Sequence, residues 1–414
     1  MARSRRNKRN IKRRIIETIS NKNFIIVVCI LTAIILVCLG ISWFDHWKQM
    51  AKLEEDRIML EKRIEEIYQM EQQAQQEAQD SQSKTSSIIR IAAVGDILCG
   101  NEMLNDANQE GNYDFTSMFA NMPSYFEHAD IAIGTMETNF CNSQEISGAK
   151  KYNSSTIFAK AVKQSGVNLV TLATNHSYDY GEEGLIETRK SLEDIGFTTI
   201  GTKKEESRVF VKEYRGAKIA FLSYTYGCEG ADATSVVNIY NEENVKQDME
   251  EAKEKADFIC VIMHWGEINS NEISKEQQDI AGFLVEQGAG MIIGSHPSTL
   301  QPIQIVQNQA GENVLIAYSL GNYICSYGGN HANMNIMLDV ELLRNGETGK
   351  VYLKSVNYIP FYVLDNGKKA ENRFELVDMK QTAENYAAGD TSKITQKTYE
   401  EIKQGLGWIE EVIR

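Results

Sequence analysis

Six side chains able to hold a metal ion, or to move a proton beside one, stand just past short apolar runs in this 414-residue chain: Asp96, Glu137, Asn175, His176, His264 and His296. They offer carboxylate, amide and imidazole groups and no thiolate. That mixture suits Mn, Fe or Zn in a reactive centre, whereas structural zinc is commonly closed by cysteines. Singly, each residue has a plainer reading. An Asp after a Gly is often a turn or cap, a His in apolar surroundings is often structural, and Glu137 in TMETNF could be a surface carboxylate. Five apolar runs ending in ligand-type residues have no structural reason to recur in succession, so the set reads as one site. Asp179, three residues past His176, either orients that imidazole or only shapes the DYG turn.

The elements that must position these residues are short and rich in Val and Ile, as buried strands are: IIRIAAV before Gly95-Asp96, DIAIGTM before Glu137, NLVTLAT before Asn175-His176, DFICVIM before His264, and GMIIG before Ser295-His296. VLIAYSLG before Asn322 obeys the same rule, and Tyr318, Ser319 and Asn322 either line the site or form a tight turn at Gly321. KIAFLSY at 218–224 adds a strand, and 351–363 reads as late β structure. Near-3.6 spacing of apolar residues predicts helices over 185–195, 242–256 and 277–287. Alternating strands and helices predict an α/β fold with helices on both sides of buried strands. In such folds the loops past the strand ends converge on one crevice. No pair among Cys99, Cys141, Cys228, Cys260 and Cys325 has C-x-x-C spacing. Cys260 reads as a small buried hydrophobe, and a disulfide among the others is left open.

The two ends are different in kind. Residues 1–22 carry nine Lys or Arg against Glu17 alone, so this arm is +8 within a chain of net charge −14. Residues 24–44 then run 21 residues without a charge, long enough to span a bilayer core. The segment 23–44 is therefore expected to be a single transmembrane signal anchor. The basic arm keeps the N-terminus cytoplasmic, Trp43, Phe44 and Trp47 sit at the interface, and the main domain lies outside. A cleaved signal peptide is the competing reading, but its apolar core is usually shorter. Residues 45–87 form a helical stalk and a Ser-rich joint, with Leu53, Leu60, Ile67 and Ala74 recurring every seven residues. Arg57 and Glu71 interrupt the second stripe, so homodimerising coiled coil and solvated spacer both stand. The main domain is expected over 88–378, with a C-terminal helical appendage over 379–414 that ends in a helix at 398–413.

The order of motifs resembles the CapA family of capsule and poly-γ-glutamate synthesis proteins, whose domain is similar to calcineurin-like metallophosphoesterases. The matching stretches are AAVGDILCG (92–100), GTMETNF (134–140), TLATNHSYDYGEEGL (171–185), IMHWGE (262–267), GSHPSTLQP (294–302) and YSLGNYI (318–324). The resemblance covers about residues 88–330. It implies a calcineurin-like α/β sandwich, metal roles for Asp96, Glu137, Asn175, His264 and His296, and a catalytic part for His176 beside the reacting group as acid or anion stabiliser, with Asp179, by its spacing, the residue that could orient it. The chain departs from the pattern at His296-Pro297-Ser298, where His-Pro-His is expected, and has no His two residues past Asp96. Such a centre would hold one or two divalent ions, or serve binding alone. His331 either replaces the missing imidazole or is a loop residue, and Trp265 either stacks on substrate or packs beneath the site.

These features admit two functions. One is a membrane-anchored protein of capsule or poly-γ-glutamate synthesis and export, working on an anionic envelope polymer beside membrane-embedded subunits. The other is an active metal-dependent hydrolase of a phosphoester, or of an amide or ester bond in such a polymer. An anchored structural protein would not account for the strand-end ligands. Beyond the basic arm the chain carries −22, which argues against nucleic acid as partner and means that a polyanion must be met by local basic residues or bridging cations.

Overall fold

Side-chain alternation along the strands decides the layering. The structure, a computed structural model, describes residues 85–414 apart from 204–206, 229, 231–232, 327–330, 369 and 371. In β1 (Ser87–Ile97), Ile89, Ile91 and Ala93 face one apolar cluster while Ala92 and Val94 face another. A strand with both faces apolar must be covered on both sides.

Four helices and thirteen further strands complete the framework around the site. In chain order they are β2 (Ile131–Met136), α1 (Thr156–Ser165), β3 (Leu169–Thr171), α2 (Gly181–Ile195), β4 (Thr198–Ile200), β5 (Phe210–Tyr214), β6 (Ala217–Thr225) and α3 (Glu242–Lys255). Next come β7 (Phe258–His264), α4 (Lys275–Glu286), β8 (Met291–Ser295), β9 (Ile303–Gln307), β10 (Asn313–Ala317), β11 (Asn322–Ile324), β12 (Met334–Arg344), β13 (Val351–Asp365) and β14 (Phe374–Asp378). One sheet runs β14-β13-β12-β1-β2-β3-β4, with β11 also paired to β1, and the other runs β9-β10-β8-β7-β6-β5.

The sheets face each other across a shared core. Ile89, Ile91, Ile133 and Leu169 from the first meet Phe221, Cys260, Ile262, Met291 and Ile293 from the second. Outside the first sheet, Phe158 and Val162 of α1 and Leu185 and Leu192 of α2 cover Ala92 and Val170. Outside the second, Val245 and Met249 of α3 and Ile280 and Leu284 of α4 cover Leu222, Val261 and Ile292. The result is a four-layer α/β/β/α sandwich. Local signals set the helix starts: Asn241 accepts from the backbone N–H groups of Glu243 and Asn244, and Ser274 with Gln277 forms a capping box.

β1, β2, β3 and β4 run parallel, as do β6, β7, β8 and β10, so each sheet brings several carboxyl ends to one edge. The C-terminal residues expected to form an appendage are instead part of the same unit, Thr85–Arg414. α5 (Met379–Ala387) and α6 (Gln396–Val412) put Met379, Ile402 and Ile409 into the inter-sheet core, and the Ile303 N–H donates to the Ile413 carbonyl at 3.0 Å. Among the described residues, no disulfide joins Cys99, Cys141, Cys228, Cys260 and Cys325.

The basic arm, the transmembrane segment and the stalk expected from residues 1–84 lie outside the described residues. No helix among the described residues is long and apolar enough to cross a membrane.

Candidate metal centre

Glu137, His264 and His296, which come from both sheets, bring one ligand atom each within 4.8 Å of one another, and all three are buried. Glu137 lies just past β2, His264 ends β7 and His296 lies just past β8. His264 is the hub. Its Nε2 lies 2.8 Å from Asn175 Oδ1 and 3.1 Å from Glu137 Oε1, and its Nδ1 lies 3.1 Å from Ser295 Oγ. The His296 ring stands 4.7 Å from that of His264. His296 and Ser298 both have positive φ, 101° and 57°, unusual for residues with a Cβ and held here by the surroundings. The hold is visible: the His296 backbone N–H donates to Asp96 Oδ2 at 2.9 Å.

Asp96 sits at the end of β1, fully buried, with Oδ1 3.6 Å from His264 Nδ1 and without a hydrogen-bond partner. Its register neighbour on the adjoining parallel strand is Asn322. Asn322 Nδ2 faces the carbonyls of Ser298 and Ala332, at 3.2 and 3.3 Å, and since these can only accept, the amide orientation is determined. Asn322 Oδ1 is thereby turned away from them, buried and unpartnered. A buried oxygen left unpaired costs about 1–3 kcal/mol. Two such oxygens on neighbouring strands, beside a Glu/His/His group and an amide oxygen, fit a divalent cation.

His176 and Asp179 form a pair beside this group. His176 Nδ1 lies 3.0 Å from Asp179 Oδ2, which also accepts the Tyr152 backbone N–H at 3.1 Å, and the His176 ring meets the Tyr152 ring edge-on at 4.7 Å. Asp179 therefore orients the imidazole as well as bracing the loop. Asn139 steadies the same corner, its Nδ2 donating to the carbonyls of His176 and Tyr152.

Burial, and then the charge of Glu137, push the Asp96 carboxyl up to about 7. Burial also raises Glu137. Burial holds His264 down at about 4 and His296 at about 3. The imidazoles are thus neutral at physiological pH, the form that ligates metal, whereas a cation must displace a carboxyl proton below about pH 7. Affinity for Mn²⁺ is expected to be nearly flat above about pH 8 and to fall about tenfold per pH unit for each proton displaced below about pH 7. Calorimetric titration across that window checks this. A fall centred on the ordinary imidazole range with no carboxyl proton released would contradict it.

Some sequence expectations resolve differently. His331 stacks on Trp408 at 4.0 Å, away from the cluster. Trp265 is a packing residue, buried against Tyr318 with its Nε1 donating to the Tyr318 carbonyl. The sequence marks Ser295 only as the neighbour of His296 and gives no role to Tyr226, yet Ser295 hydrogen-bonds His264 and the Tyr226 ring lies 4.9 Å from that of His296. Ser295 directly precedes a candidate ligand, a weak local signal. Tyr226 had none.

The profile of the bacterial capsule synthesis protein family PGA_cap matches residues 90–327. The chain is 27% identical over 274 residues to the capsule biosynthesis protein CapA of Bacillus anthracis, covering 62% of this chain and 65% of that protein. It is 26% identical over 280 residues to the PGA biosynthesis protein CapA of Bacillus subtilis (strain 168), covering 64% and 70%. Among solved structures, the calcineurin-like phosphoesterase YfkN of Bacillus subtilis superposes with a TM-score of 0.42 at 15% identity, over 67% of this chain and 91% of that one.

Proposed function

Since the chain belongs to the bacterial capsule synthesis protein family PGA_cap, we propose that it serves the synthesis or export of an anionic envelope polymer, poly-γ-glutamate or capsule-like, through a divalent-metal centre. The observation that carries this reading is the buried convergence of Glu137, His264 and His296. Asn175 and Asp96 would complete the holding set, and Asn322 would add an oxygen on the side where Ser298 cannot supply an imidazole. A divalent ion bound there would polarise a phosphoryl or acyl oxygen and lower the pKa of a bound water. The protein residues hold the carboxylates and imidazoles in place, and the two sheets exclude water from behind them. In this reading the segment 23–44 anchors the protein, the main domain works outside the membrane, and membrane-embedded synthesis or export subunits are its neighbours.

The His176–Asp179 pair favours a second reading, the active hydrolase. The His176 side chain is 21% exposed where the metal set is buried, so it is placed to pass a proton between solvent and a group at the centre. Complementation separates the two. In cells lacking the protein, Glu137→Gln is expected to leave surface polymer unrestored. His176→Ala should restore it if the centre only binds, and fail to if it hydrolyses. Full restoration by Glu137→Gln would sink the metal-centre reading.

A further inference from the structure

A cavity of about 260 Å³ lies beside the N-terminus of α3, lined by Lys203, Arg208, Asn238, Tyr240, Asn241 and Asn244. Asn238 is 2% exposed, and neither its Oδ1 nor its Nδ2 has a partner. Its backbone is committed, donating to the Gly201 carbonyl at 3.0 Å and accepting from the Thr225 N–H at 2.9 Å, so the side chain cannot leave. The Tyr240 hydroxyl is likewise buried and unpartnered. Native interiors seldom leave such groups unmet.

The remaining lining groups differ in availability. Asn241 Oδ1 caps α3, and Arg208 Nε is tied to Asp248 Oδ2 at 2.8 Å. Lys203 is exposed and makes no ion pair among the described residues. The cavity thus presents an ammonium with no ion pair among the described residues, a primary amide with donor and acceptor side by side, and a hydroxyl whose pKa burial, then Glu242 and Glu276, push up to about 12. An amide complements an amide, pairing N–H with C=O on both sides, and an ammonium complements a carboxylate. In a chain this acidic, such a place supplies the local cation that a polyanion needs.

We propose that this cavity binds a carboxylate-bearing amide, one acidic unit of a polyamide, with its carboxylate on Lys203 and its amide against Asn238. The polymer reading above supplies the setting, and the cavity alone supplies the chemistry. Its position is apt: the Tyr240 N–H donates to the Thr225 carbonyl at 2.8 Å, Thr225 is in register with His264, and the next residue, Tyr226, touches His296. Cavity and metal group therefore flank the same strand end.

Titration of the full-length protein with γ-glutamylglutamate, monitored by calorimetry, tests this. Saturable binding is expected, weakened about tenfold or more by Lys203→Gln and by Asn238→Ala, since each removes a charged or buried hydrogen bond. Glu137→Gln should leave it unchanged, which keeps this outcome separate from failure of the metal centre. Lys203 is exposed, so its variant reports on binding even if Asn238→Ala folds poorly. Three results would overturn the proposal: no saturable binding, wild-type affinity in both cavity variants, or equally tight binding of glucuronate, which has the charge without the amide. Binding lost in Glu137→Gln but kept in the cavity variants would also overturn it by moving the ligand to the metal group.

Discussion

Replacing His264 by alanine is expected to lower metal affinity by at least about a hundredfold, because loss of a residue that merely supports a metal ligand already costs about 10–100-fold. His264 does more than support. It is fully buried and its Nε2 faces both Glu137 Oε1 and Asn175 Oδ1, so its removal would take away one candidate ligand and the alignment of two other candidate ligands. The metal-free fold should also weaken, by about 2–4 kcal/mol, since the change leaves a cavity and strips buried polar groups of their partner. The two effects come apart experimentally: unfolding in chelator reads the second, and metal content of the folded variant reads the first. A folded His264→Ala protein with wild-type affinity would remove this residue from the centre.

Gly95→Ala is expected to destabilise the fold by about 3 kcal/mol or more, although a methyl group is the smallest possible addition. A Cβ at Gly95 would lie 1.8 Å from the Gly321 carbonyl oxygen and 2.9 Å from its carbon, and these are backbone atoms. Gly321 cannot retreat cheaply. Its carbonyl accepts the Asp96 N–H at 3.1 Å, its φ of 73° suits glycine, and a Cβ there would itself meet the Met334 carbonyl at 3.0 Å. The close approach of the two glycines puts Asp96 beside Asn322, so any Gly95→Ala protein that folds should also bind metal more weakly. Gly282→Ala is the control: that glycine lies within α4 with no heavy atom near its missing Cβ, and alanine there should be neutral or stabilise by up to about 1 kcal/mol. Equal denaturation midpoints for the two variants would show that the Gly95–Gly321 approach does not matter.

Much of the site was legible before the fold was known because its signals are local. A buried strand announces itself within a few residues, and the residue just past it must lie at a strand end. Asp96, Glu137, Asn175, His176, His264 and His296 could therefore all be named from apolar runs and the polar residues at their carboxyl ends. The helices over 242–255 and 275–286 are readable from periodicity, within a turn of the expected ends. The C-terminal helix was readable as a helix, but not as part of the core. Its apolar stripe shows that Ile402 and Ile409 must be covered, and nothing in the stripe says by what.

Chain order and residue type thus determined the α/β class, the family and the residues that could bind metal, since strand, helix and turn preferences act over a few neighbours. Only the tertiary structure decided which of them meet. The pairing of His264 with Glu137 spans two sheets, the seat of Tyr226 on His296 depends on how β6 and β8 flank β7, and Asn322 gained its place by pairing with β1. The same holds for Trp265, for His331 and for the unpartnered amide of Asn238. A side chain's partners are set by where distant strands pack, and that is fixed by the burial of the whole core rather than by any segment's own sequence.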